Sequence, residues 1–377
     1  PKTLVVVFQR GGCDGLNTVI PYGDGDYYSL RPSIGVPAPS GAAGSAIDLN
    51  GFFGLHPALG ALKPVYDAGD LAVLPATHYP GATRSHFDGQ NNIEGAGEDI
   101  DFGWLNRYLE QTAGTGLRAV GIGGSLPRAL KGNEVVSVFS NIGNFSLGLP
   151  PDEEQFILER ISAVYGQTAD PSKRYRELLH TVGRTVVNDL ALIEGIQDPN
   201  QYQPANGAVY PDSTFGRQLR ETAQLIKEGL GLEVASLGIG GWDTHDNQGG
   251  AQGRQATRHG DFASGLAAFY TDLGSQMNDV LVLTMTEFGR TAAENGSFGT
   301  DHGHAATWLA LGRSLNGGVF GTWPGLQEAQ LVNGRYLNHS IDFRDVYAEI
   351  MQNHMGASAG ALSAIIPGYT PQPVGLV

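Results

Sequence analysis

Val280–Arg290 reads VLVLTMTEFGR, and after a short polar loop Thr300–Gly312 reads TDHGHAATWLALG. Two apolar runs of strand length, Val280–Met285 and Thr307–Leu311, are bounded by glycine and polar residues, the pattern of buried strands. The first run stops at Thr286, Glu287, Phe288, Gly289 and Arg290, and the second is preceded by Asp301, His302 and His304. In an open α/β sheet, ligands sit at the carboxyl ends of the strands, so these polar residues are expected on one functional rim.

Reading upstream, His259–Met277 carries Phe262, Leu266, Phe269 and Leu273 on one helical face, and Glu233–Ile239 is apolar and strand-like. Together with Val280–Met285 this is a strand–helix–strand unit, which predicts a parallel pair with a right-handed crossover. The upstream strand runs out into GGWDTHDNQ, which places Asp243 and His245 two apart at a strand end. A carboxylate and an imidazole on one loop suit a transition metal; a hydrogen-bonded Asp–His turn has the same spelling.

Leu4–Phe8 reads as the first strand and opens into RGGCDGLN. The glycines permit a tight turn, and Asp14 reads as a metal ligand or phosphate-loop acid, or as an Asx turn. Leu71–Pro75 is a further strand, followed by THYPGATRSHFD and a helix from His86 to about Gly95. Thr83 or Ser85 therefore stands at a helix start, as an N-cap or as a nucleophile facing an anion.

The remaining elements read as scaffold. Helices are predicted at His56–Ala68 (with Pro64 inside), Gly103–Thr112, Pro151–Tyr165, Pro171–Ile196 and Phe215–Leu230, and short strands at Arg118–Ile122 and Glu134–Phe139. Leu179, Val182, Val186, Leu190 and Ile193 form one apolar stripe, expected to pack in the core. Asp342 is a predicted N-cap for a helix reaching His354, and His339 and His354 read as isolated histidines. The expectation is one α/β domain over residues 1–377, with a doubly wound, mostly parallel sheet flanked by helices and a helical insertion around 151–230.

Composition narrows the function. At 377 residues and 41% hydrophobic, the chain can bury a large core. A net charge of −15 disfavours nucleic-acid binding and an anionic membrane surface. No apolar run reaches membrane-spanning length. Cys13 is the one cysteine, so no internal disulfide forms. Pro1, directly ahead of a strand, suggests a processed chain whose targeting segment is gone. No GxGxxG or Walker-type fingerprint occurs.

Several strings together carry a resemblance: RGGCDGLNTVIPYGDGDYY, TRSHFDGQ, GGWDTHDNQ, TEFGRTAAENGSFGTDHGH, FGTWPGL and DFRDVYAEI. They resemble the bacterial family called domain of unknown function 1501, often exported, and more distantly the alkaline phosphatase/sulfatase superfamily. The resemblance implies a rim metal site built from Asp14, Asp243, His245, Glu287, Asp301 and His302 or His304, with Ser85 or Thr83 as nucleophile and Arg290 supplying charge to an anionic substrate. Where the superfamily has Asp-His, this chain has Glu287-Phe288; phenylalanine cannot ligate, so one metal is implied rather than two. Cys13 lies outside the Cys-x-Pro-x-Arg context of sulfatases, so no formylglycine is expected. The implied function is metal-dependent hydrolysis of a phosphate or sulfate ester, on a small molecule or a glycan. The implied ion is zinc, manganese, calcium or magnesium, and the implied location periplasmic or extracellular. Alternatives are a non-catalytic exported metal- or glycan-binding protein on the same fold, and a metal redox enzyme using iron or copper.

Overall fold

Alternation along the first strand sets the two layers of the molecule. In β1 (Thr3–Gln9) every residue is buried. Leu4, Val6 and Phe8 join one hydrophobic cluster, and Val5 and Val7 join a second on the opposite face. A strand covered on both faces needs a continuous apolar sequence, which LVVVF supplies. The computed structural model describes residues 2–144, 149–165, 176–196 and 201–377.

The other principal strands are β2 (Leu71–His78), β3 (Ala119–Ile122), β4 (Ser137–Phe139), β5 (Val234–Ile239), β6 (Val280–Met285) and β7 (Ala306–Leu311). Their order across the sheet is β2-β7-β6-β1-β5-β3-β4, with the short pairs Gly318–Val319 and Ile341–Asp342 added beside β2. β5 and β6 both run parallel to β1, and β7 runs antiparallel to β2 and β6. The sheet is thus mostly parallel and flanked by helices on both faces. β5 and β6 are parallel as the sequence predicts, but they are not neighbours, because β1 lies between them.

On one face lie α1 (His86–Gly95), α2 (Trp104–Gln111), α7 (Phe343–Glu349) and α8 (Ala359–Ile365). Trp104 stacks on Tyr347 at 3.9 Å to tie α2 to α7. On the other face lie α5 (Thr214–Lys227) and α6 (Arg254–Leu273) with the segment Pro57–Asp67. That segment is a 3₁₀ turn over Pro57–Leu62 followed by a short α-helix over Lys63–Asp67, not one helix; Pro64 starts the second piece because its missing N–H is harmless there. β2 runs past Pro75 to His78, because a bulge opposite Ala306 and Trp308 absorbs the proline.

α3 (Pro151–Tyr165) and α4 (Arg176–Glu194) pack on each other. The apolar stripe of α4 is not uniformly core. Leu190 and Ile193 are buried, but Leu179, Val182 and Val186 are exposed, since only the last turns of α4 reach the sheet layer. The predicted start of this helix at Pro171 lies outside the described residues. Among the described residues, no helix is long and apolar enough to cross a membrane.

Candidate metal centre

Four chain segments meet at one rim of the sheet. β5 and β6 end there and release Asp243 and His245, and Glu287 to Arg290. β7 runs the opposite way, so the residues that precede it, Asp301 to His304, arrive at the same rim. The fourth segment is the start of α1, where Ser85 is the N-cap and His86 the first helical residue. Gly11 and Gly12, after β1, hold left-handed backbone with φ of 122° and 66°. A Cβ on Gly11 would come within 2.6 Å of the Asp243 amide nitrogen, so the close approach of these loops requires glycine.

Three histidines converge on the Asp243 carboxylate. His86 Nε2 lies 3.4 Å from Oδ2, and His245 Nε2 and His302 Nε2 lie 3.0 and 3.3 Å from Oδ1. Each histidine is anchored through its other ring nitrogen. His86 Nδ1 is 2.8 Å from Glu287, His245 Nδ1 is 3.2 Å from Asp301, and His302 Nδ1 is 2.9 Å from the Arg84 carbonyl. A carbonyl or ionised carboxylate only accepts, so each Nδ1 donates, which leaves Nε2 of each ring facing Asp243 and, in the neutral tautomer, presenting its lone pair there. Two of those lone pairs face each other, His245 Nε2 and His302 Nε2 being 3.1 Å apart. His86 Nε2 is buried without a hydrogen bond. His86, Asp243 and His302 form the one trio among the described residues whose donor atoms all lie within 4.8 Å of one another. Lone pairs and a carboxylate packed this way repel unless a cation sits between them, and imidazole with carboxylate is a transition-metal donor set.

The surroundings set the charge of the cluster. Burial opposes ionisation of Asp243, yet the hydrogen bond and charge of Arg290, together with the nearby His245 and His86, outweigh it and hold the carboxyl below its usual range. Burial likewise opposes charge on Glu287, but His86 and Gln90 donate to it and keep it ionised. The Glu287 hydrogen bond in turn raises the pKa of His86, while burial lowers that of His302. Phe288 is fully buried and packs its ring on both His86 and His302 at 4.9 and 4.8 Å. The residue that cannot ligate thus forms the apolar wall that fixes two imidazole planes.

The sequence candidates divide accordingly. Asp243, His245 and His302 come together. Glu287 and Asp301 stand behind them as the acceptors that orient His86 and His245; Asp301 also binds Asn295 and Arg335. Asp14 is withheld from the cluster: it is buried in an ion pair with Arg31 at 2.6 Å and accepts from Gln248 at 2.7 Å. His304 is also elsewhere, 3.1 Å from His339 and edge-on to His78. Arg290 is fully buried and directs its donors to the carbonyls of Gly11, Gly12, Trp242 and Thr300 as well as to Asp243. It clamps the three loops together and offers little to a substrate. Ser85 Oγ faces the Asp88 amide as a long N-cap contact, and Thr83 Oγ1 accepts from the Ser85 amide. Cys13 is buried, and that burial pushes its thiol up to about 12, so it is inert. His86 is the ligand candidate that sequence reasoning misses. Its only local signal is its place directly after a hydroxyl residue at a helix start.

The family model described as "Protein of unknown function (DUF1501)" matches residues 56–366. A search of curated proteins gave no match. Among solved structures, the chain is similar to the PsFucS1 sulfatase from Pseudoalteromonas sp., at 11% identity and a TM-score of 0.37, covering 85% of this chain and 64% of that one. It therefore spans a little under two thirds of that sulfatase. It is similar also to Ps i-CgsB in complex with k-i-k-neocarrahexaose, at 11% identity and a TM-score of 0.36, covering 97% and 74%. A third is the lipoteichoic acid synthase LtaP from Listeria monocytogenes, at 10% identity and a TM-score of 0.31, covering 95% and 73%. At these scores no residue role is carried across.

Proposed function

Since the chain belongs to the DUF1501 family, whose description names no activity, we propose from its own rim that it binds one divalent transition metal and hydrolyses esters of phosphoric or sulfuric acid. The observation that carries this reading is the convergence of three Nδ1-anchored histidines on Asp243. His86, Asp243 and His302 would hold the ion, with His245 beside them. Three imidazoles to one carboxylate fit zinc, manganese or iron better than calcium or magnesium, which favour oxygen donors. A bound ion would supply Lewis acidity toward an ester oxygen and lower the pKa of water. Glu287 and Asp301 keep two of the imidazoles in the ligating tautomer, and Phe288 excludes water behind them. Ser85 and Thr83 sit one and three residues before His86, and this nearness in the chain supports taking either hydroxyl as the nucleophile.

Elemental mass spectrometry on protein purified without chelator or His tag, beside Asp243→Ala, tests the centre. About one equivalent of zinc, manganese or iron in the wild type and none in the variant is expected. Metal-loaded protein should then turn over p-nitrophenyl phosphate or p-nitrophenyl sulfate, with loss of turnover in Ser85→Ala or Thr83→Ala. Retained turnover in both hydroxyl variants removes the serine/threonine mechanism.

A second reading, a metal-binding protein without turnover, is favoured by Arg290. Its guanidinium is spent on backbone carbonyls and on Asp243, so it is not itself free to meet charge developing on an ester. Metal retention with no hydrolysis of either ester selects that reading.

A further inference from the structure

The arginines around this rim are unequal. Arg290 pairs with Asp243 at 2.6 Å, Arg335 with Asp301 at 3.1 Å and Arg10 with Glu94 at 3.1 Å. Arg84 is exposed, and its guanidinium has no hydrogen bond or ion pair among the described residues. Its backbone nevertheless belongs to the cluster. The Arg84 carbonyl accepts from His302 Nδ1 at 2.9 Å, and the residue lies between Thr83 and Ser85, two before His86. The main chain of Arg84 is thus tied to the three histidines, while its charge is left unanswered.

An aromatic ring holds the side chain. The Arg84 guanidinium carbon stands 4.4 Å from the centre of the Tyr336 ring, and that of Arg335 stands 5.6 Å from the same ring. Tyr336 is carried on a stiff post. The Arg335 carbonyl accepts from the Ala292 amide at 3.1 Å, and the Leu337 carbonyl accepts from the Ala305 amide at 3.2 Å. These bonds join the post to the segments that follow Arg290 and His304. A cation–π contact orients a guanidinium without taking up its planar fork of N–H donors. Such a fork matches two oxygens of a tetrahedral oxyanion. Arg335 is the lesser candidate, since Asp301 already meets its charge.

We propose that Arg84 is the residue that recognises the oxyanion of the substrate. The proposal rests on the ester-hydrolase reading above: a phosphate or sulfate group at the metal turns its remaining oxygens to the Arg84 fork, and Tyr336 backs the guanidinium. Arg84 takes the part for which Arg290 is not free.

Calorimetric titration of zinc-incubated protein with inorganic phosphate tests this without turnover. Phosphate binding is expected in the wild type. It should weaken more than about tenfold in Arg84→Ala, the scale of a lost charge-assisted hydrogen bond. Arg84→Lys should recover only part of the loss, because an ammonium keeps the charge but not the fork. Zinc content should be equal in all three proteins, since the carbonyl that anchors His302 is retained. Arg254→Ala removes an exposed arginine paired elsewhere, with Asp246, and should bind phosphate as the wild type does. No phosphate binding by the wild type, unchanged affinity in Arg84→Ala, or an equal loss in Arg254→Ala overturns the proposal. Ester hydrolysis that survives in Arg84→Ala with unchanged KM also overturns it and leaves the hydrolase reading standing. Arg84-dependent phosphate binding in a protein that hydrolyses neither ester supports the arginine and removes the hydrolase reading.

Discussion

Two trios of histidine share this rim, and they differ in everything but residue type. His86, His245 and His302 are partly exposed, each held at Nδ1 by an acceptor, and they face one carboxylate. His78, His304 and His339 pack edge to face, with centroids 4.5 and 5.3 Å apart for successive pairs. His78 and His304 are buried, and among the described residues no carboxylate joins the trio in a ligating cluster such as the first one forms. Burial, reinforced by its neighbours' charges, lowers the pKa of His78 well below the ordinary value and brings that of His304 to about 4. On the proposed metal reading, an anchored tautomer and a shared carboxylate would make a ligand of an imidazole, whereas burial alone makes it a polar piece of core.

The largest expected effect separates the trios directly. His86→Ala or His302→Ala should weaken zinc binding more than about 100-fold, beyond the ~10–100-fold typical of losing a supporting group. His304→Gln should leave it unchanged in the same competition titration; an equal loss there would merge the two clusters into one site. Next in size, Glu287→Gln should cost zinc affinity about 10–100-fold while the metal-free protein stays folded. Cobalt-substituted protein should show an altered d–d spectrum in that variant, which a merely structural glutamate would not produce.

The smallest effect is a pH dependence of stability that belongs to the second trio. The folded pKa of His304, about 4, lies below the ordinary 6.5, so the unfolded chain takes up the proton first. The resulting stability is fully present above about pH 6.5 and is lost as pH falls toward 4, on the order of 1–3 kcal/mol. Urea unfolding between pH 7 and 4 should show that slope in the wild type and a flatter one in His304→Gln. An unchanged slope would remove His304 as its source.

Much of the fold is legible in the chain. VLVLTM and LVVVF mark β6 and β1 because a strand covered on both faces must be apolar throughout. Ser85 and Asp342 mark the starts of α1 and α7 because free helical amides need an acceptor nearby. α4 is less legible, since its stripe has the right period but only its end meets the sheet. The candidate site is legible in part. Asp243, His245 and His302 stand out because they follow or precede strands, and strand ends gather on one rim.

The sequence by itself determined the strands, the helix starts and the set of polar residues delivered to the rim, because these follow from local periodicity and capping. Only the tertiary structure decided which of those residues face one another. Asp14 has the spelling of a ligand, but Arg31 and Gln248 reach it from distant loops and occupy its oxygens. His302 and His304 are separated by one glycine, yet one joins Asp243 and the other the buried trio. His86 becomes a ligand candidate through Glu287, 201 residues away in the chain. Which atoms a side chain meets across the sheet depends on strand order and direction, and these are set by packing the whole chain rather than by any local string.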